Sequence, residues 1–99
     1  MFRHIFIGVV KPKAEESKIN DRLKVMKSIA KEVGGVTNFA AGRNLGWYTP
    51  DDTLILTGDF ESKEARMKFV NSDYHMQKLA AVAGEVFDMD KSAGYQFEF

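Results

Sequence analysis

The sequence has no cysteine, and its 14 basic and 14 acidic side chains leave it without formal net charge. Without thiols there can be no disulfide scaffold, no thiolate metal site and no cysteine nucleophile. Balanced charge argues against a nucleic-acid partner, because phosphate binding relies on Lys and Arg gathered on one surface. The densest basic stripe, Lys24, Lys27 and Lys31, has helical spacing and reads as a solvated helix face. Only two histidines are present, and a zinc or iron centre usually takes three protein ligands. No metal and no cofactor are therefore expected. There is no glycine-rich phosphate loop, no Ser-His-Asp order and no paired-carboxylate motif. Asp88 and Asp90 have the spacing to share one side of a strand, as many surface carboxylates do, and Asp51-Asp52 reads as turn chemistry. Long apolar runs are also missing. The opening segment MFRHIFIGVV is broken by Arg3 and His4, is too short for a membrane span and lacks a small-residue cleavage site. It is expected to be a strand, in a cytoplasmic chain with no membrane partner.

The chain holds 99 residues, room for one domain and one core, so residues 1–99 are read as a single unit. Phe2 to Val10 is rich in Phe, Ile and Val, which favour strands. From Ala14 to Val33 the period changes: Ile19, Leu23, Met26, Ile29, Ala30 and Val33 fall on one helix face. Glu15 and Glu16 at its start and Lys27 and Lys31 near its end suit the helix dipole, and Gly34-Gly35 stops it. Val36 to Arg43 forms a weaker strand, 44–52 a loop, and Thr53 to Phe60 a clear strand. Ser62 is placed to cap a helix through Ala65, Phe69 and Val70. Asn71-Ser72-Asp73 interrupts it before a further helix with Met76, Leu79, Ala80 and Ala83. Val86 to Phe99 closes the chain with strand character, strongest over Tyr95 to Phe99. The order is that of the ferredoxin-like βαββαβ unit, an α+β antiparallel sheet with helices on a single face.

Strand one is apolar on both sides. Ile5, Ile7 and Val9 point one way, and Phe2, His4, Phe6 and Val10 the other. A sheet with helices on one face and water on the other should alternate apolar with polar. Helices can cover only one side, so the other needs a different cover, and a second copy about a two-fold axis is the simplest. A homodimer, with two sheets face to face in a barrel, is the expected assembly.

These features together resemble the stress-responsive dimeric α/β-barrel (Dabb) family along nearly the whole chain. Phe2-Arg3-His4-Ile5 is similar to the family's opening strand. Gly42-Arg43-Asn44 stands where members often carry Gly-x-Asn. Thr57-Gly58-Asp59-Phe60-Glu61-Ser62 looks like the family's strand-three exit, and His75 matches the histidine of its Pro-x-His segment. The resemblance implies a ferredoxin-like subunit, a homodimer and a cleft between sheet and helices, without implying one activity. Some plant relatives are polyketide cyclases that use the position of His75 as an acid/base group, aided by a tyrosine six residues earlier. Here that position is Phe69. Leu54 replaces a further cyclase histidine, and Asp73 replaces the proline before the helix.

His4 and His75 are the candidate catalytic residues, and each has a plainer reading. A strand histidine such as His4 can be a hydrogen-bonded core residue, or can bind or protonate a ligand in the cleft. His75, in a helix's first turn, can hold a neutral imidazole suited to a base, or can pack the Ser72 turn. Phe2, Phe6, Leu54 and Phe69 are the expected walls of an apolar pocket. Trp47 and Tyr48 form either its lid or a dimer contact. Three functions remain open: a stress-related binder of a small apolar or aromatic molecule; a cofactor-independent cyclase-, isomerase- or monooxygenase-like enzyme with His75 as acid/base and His4 as helper; and a purely self-associating protein.

Overall fold

The computed structural model describes residues 1–73, 75 and 83–99. Its elements are β1 (Phe2–Val9), α1 (Glu16–Val33), β2 (Thr37–Arg43), β3 (Thr53–Phe60), α2 (Lys63–Val70), a 3-10 turn at Ala83–Glu85, and β4 (Ala93–Glu98). The four strands form one antiparallel sheet in the order β2-β3-β1-β4. This is the ferredoxin-like βαββαβ arrangement. The expected helix with Met76, Leu79 and Ala80 lies outside the described residues. No described helix is long and apolar enough to cross a membrane.

Register fixes the two faces. Phe6 lies opposite Leu56 and Gly94, while Ile5 lies opposite Thr57 and Tyr95. Directly opposed residues point to the same side. The inner face, toward the helices, therefore carries His4, Phe6, Leu54, Leu56, Phe60 and Gln96. The outer face carries Arg3, Ile5, Ile7, Ile55, Tyr95 and Phe97.

Helix α1 buries Ile19, Arg22, Met26 and Ile29, a stripe at steps of three and four. Lys24, Lys27 and Lys31 face solvent, as their spacing predicts. Gly34 (φ 76°) and Gly35 (φ 78°) end the helix in the left-handed region that glycine enters cheaply. The Ser62 hydroxyl accepts from the Ala65 amide at 3.1 Å and caps α2. The core sits between the inner face and the helices. One part gathers Val10, Ile19, Met26, Leu54, Leu56, Val86 and Phe87; the other packs Ile29, Phe60 and Phe69.

The last segment departs from the sequence reading. Val86 and Phe87 do not open the final strand. They follow the 3-10 turn, and Phe87 bridges Val10 alone. Phe87 lies directly over Gly8, where a Cβ would come within 2.6 Å of the ring. Asp88 and Asp90 occupy a turn, where Asp88 Oδ1 accepts the Asp90 amide at 3.2 Å, so they do not share one side of a strand. The Ser92 hydroxyl donates to the Asp88 carbonyl at 2.8 Å and accepts from the Val9 amide at 2.9 Å. That clasp sets where β4 begins.

Candidate functional site

Between the inner face and the helices lies a cavity of about 530 Å³. That is within the roughly 300–1,000 Å³ range of small-molecule sites. Phe6 from β1, Leu56 and Phe60 from β3, Met26 from α1 and Phe69 from α2 supply apolar walls. The rings brace one another edge to face. Phe60 and Phe69 have centroids 5.2 Å apart at 68°, and Phe6 and Phe87 5.5 Å apart at 66°. Such pairs are worth about 0.5–1.5 kcal/mol beyond their buried area.

His4 and His75 both line this cavity. Strand alternation turns His4 inward, opposite Gln96 of β4. The Gln96 amide nitrogen lies 2.8 Å from His4 Nδ1. In this orientation the amide donates, and the ring carries its proton on Nε2. Burial, then the nearby charge of Arg66, lowers the His4 pKa from 6.5 to about 4. His75 follows α2, its backbone amide donating to Ser72 Oγ at 3.2 Å. Its ring sits tilted against Phe69 at 6.0 Å. Burial is again the main reason its pKa falls below 6.5, with Arg66 second and a Val70 backbone contact opposing. Both imidazoles are therefore neutral near pH 7, able to accept or donate a hydrogen bond without carrying charge.

Of the other residues picked out in the sequence, Phe6 and Phe69 line the cavity and Phe2 and Leu54 do not. Leu54 is fully buried in the core beneath it. Trp47 and Tyr48, 89% and 99% exposed, do not reach this cavity. They edge a separate, more open cleft with Ile7, Val9 and Ile55 on the outer face. Their loop is held elsewhere: Asn44 Nδ2 donates to the Thr49 and Asp51 carbonyls, and Asn44 Oδ1 accepts from the Gly46 amide. A lid of Trp47 and Tyr48 over a pocket lined by Phe2, Phe6, Leu54 and Phe69 is thus not what the fold builds. Among the described residues, no group of three or more His, Cys, Asp or Glu side chains could hold a metal ion.

Polar members of the cavity wall that the sequence reading missed include Arg22, Arg66 and Gln96. Their signals were present. Arg22 stands three after Ile19 and four before Met26, inside the apolar stripe. Arg66 stands three before Phe69 on the same turn of α2. Gln96 alternates with the outward Tyr95 and Phe97.

Residues 2–90 match the sequence pattern of the stress responsive A/B barrel domain. No curated protein matches the chain. Several solved structures share its fold. A dimeric ferredoxin-like protein of unknown function from Thermobifida fusca has a TM-score of 0.83 at 15% identity, over 99% of this chain and 90% of its own. A protein from Arabidopsis thaliana has a TM-score of 0.78 at 19% identity, over 100% of this chain and 95% of its own. The hydroxynitrile lyase of Passiflora edulis has a TM-score of 0.78 at 15% identity, over 97% and 90% respectively.

Proposed function

This chain belongs to the stress responsive A/B barrel domain family, and on that premise we propose that two copies pair through their outer sheet faces and that each binds a small apolar or aromatic molecule between sheet and helices. The observation that carries the binding reading is the cavity itself: ring-walled, set between the two layers of the fold, with a few polar residues among its lining. Pairing is supported by the outer face, where Ile5, Ile7 and Ile55 are only partly buried. Beside them Tyr95, Phe97 and Phe99 remain 60%, 47% and 58% exposed. Apolar area of this kind marks an interface, and a two-fold partner presents the same surface in return. The Thermobifida fusca relative is described as dimeric. A role in stress responses is part of the same proposal and is supported by the family's description.

The test follows the two imidazoles by NMR during titration with 2-naphthamide, a neutral ring-sized probe. The Hε1 resonances of His4 and His75 should both shift in a saturable way. Gly94→Phe places a ring inside the cavity from β4, where an added Cβ makes ordinary contact with His4 Cε1 at 3.6 Å and Gln96 Nε2 at 4.0 Å. It should abolish the shifts while leaving the fold intact. Unmoved imidazoles in the folded wild type count against binding in this cavity.

A second reading is enzymatic, and one observation favours it: two neutral imidazoles face one apolar space. In that reading His75 is the acid/base group and His4 its helper, without a cofactor. The Passiflora edulis relative is a hydroxynitrile lyase. Once a substrate is found, His75→Ala should reduce turnover by roughly 10²–10⁴-fold, the usual scale of general acid–base catalysis, with ligand affinity little changed. Full turnover in that variant removes this reading.

A further inference from the structure

The charge in the cavity wall is all of one sign. Arg22 from α1 and Arg66 from α2 line it, and none of its lining residues is Asp or Glu. Residues 74 and 76–82 contain neither Asp nor Glu, so they bring no carboxylate to the cavity. Arg22 is buried, at 6% exposure. Glu85, whose charge favours the charged form of Arg22, is exposed and is not among the lining residues. Among the described residues, Arg66 Nε and His75 Nδ1 are both buried and make no hydrogen bond. Both belong to residues that line the ring-walled space.

We propose that the cavity selects aromatic carboxylates, with the ring body among Phe6, Phe60 and Phe69 and the carboxylate held by Arg66 in the field of Arg22. The proposal rests on the reading that this cavity binds a small apolar or aromatic molecule, and it names that molecule's class. The guanidinium suits the role because its fixed fork matches the two carboxylate oxygens. The charge of Arg66 is felt at both histidines, lowering their pKa values. A carboxylate on Arg66 offsets that charge and allows a neutral imidazole to donate to the same head group.

The experiment compares 2-naphthoate with 2-naphthamide, equal in shape and different in charge, by calorimetry at low salt. Naphthoate should bind at least about tenfold more tightly, the scale of one charge-assisted contact. Arg66→Met should erase that preference, with naphthoate affinity falling by more than naphthamide affinity, and its circular dichroism spectrum should match wild type, which reports that the variant is folded. Arg66→Lys should restore part of the preference. Gly94→Phe should remove binding of both probes. Equal affinities, equal losses for both probes in Arg66→Met, or naphthoate binding that survives Gly94→Phe overturns the proposal. If naphthamide binds and the carboxylate brings no gain, the apolar-ligand reading stands and this inference falls. If neither probe binds, both fall.

Discussion

Arg3 and Asp59 face each other across β1 and β3 and form a two-pronged ion pair, Nε to Oδ1 at 2.7 Å and Nη2 to Oδ2 at 2.8 Å. Asp59 is fully buried and also accepts from Asn38 Nδ2 at 3.0 Å. Arg3 in turn lies over the Phe99 ring, 4.8 Å from its centroid. One pair thus ties together β3, β1, the irregular start of β2 and the end of the chain. Asn38 itself sits at φ 49°, where the β2–β3 register shifts.

Asp59 should make stability acid-sensitive. Hydrogen bonds from Arg3, then from Asn38, hold its pKa down at about 2 against 3.8 for a free side chain. A depressed carboxylate stabilises the fold above its unfolded pKa, and that contribution is lost as pH falls through the folded value. Asp59→Asn should therefore be less stable than wild type at pH 7, and the gap should close between about pH 4 and pH 2. Urea midpoints measured across that range check it. A gap that stays constant with pH contradicts the assigned role.

His4 works in the same sense, in a higher pH window. Its folded pKa lies at about 4, below 6.5, so the unfolded chain binds more protons in that window. Stability should rise with pH from about 4 to 6.5 and level off above. His75 contributes in the same direction. Discounted for the solvent that reaches the ring, the His4 share is roughly 1–2 kcal/mol. His4→Phe should flatten the profile, and in wild type the His4 Hε1 resonance should titrate near pH 4.

Gly8 is required by its neighbour. A Cβ at this position would lie 2.6, 2.7 and 2.8 Å from three atoms of the buried Phe87 ring. Gly8→Ala should cost roughly 1–3 kcal/mol, as overpacked cores do. Combining it with Phe87→Leu should cost less than the sum of the two single changes, because the smaller side chain makes room. Denaturant titrations of the three variants decide it; strict additivity argues against the clash.

The proposed pairing has its own test. Ile7 lies at the centre of the outer face, opposite Ile55 on one side and Ala93 on the other. Ile7→Glu puts a charge where two sheets would meet and should convert a dimer to a monomer, read by light scattering. A dimer that survives the change must use another surface.

Much of this was legible in the chain itself. β3 runs from Thr53 to Phe60, its predicted limits, and α1 ends at Val33 before the two glycines. Both rest on local rules: β-branched and aromatic residues in an extended run, and a three-four period closed by residues that accept positive φ. Phe6, Phe69, His4 and His75 were also picked out, and the fold brings them to one cavity. Leu54 and the Trp47-Tyr48 pair were assigned to the same pocket because size and apolarity alone cannot say how deep a side chain lies or which side of the sheet a loop reaches. Arg22 and Arg66 were read past because a charged residue within a helical stripe looks like its surface neighbours until a second layer closes over it.

The pattern of residues determined the kind and order of the elements, since backbone preference and side-chain period act over a few positions. It also removed thiol chemistry, because a missing atom cannot be folded into place. It could not choose between the two greasy sides of β1. Alternation has a period of two and treats both sides alike, so the choice is made only when α1 crosses back and packs on one of them. That single packing event turned His4 and Gln96 toward the helices and left Tyr95, Phe97 and Phe99 facing outward.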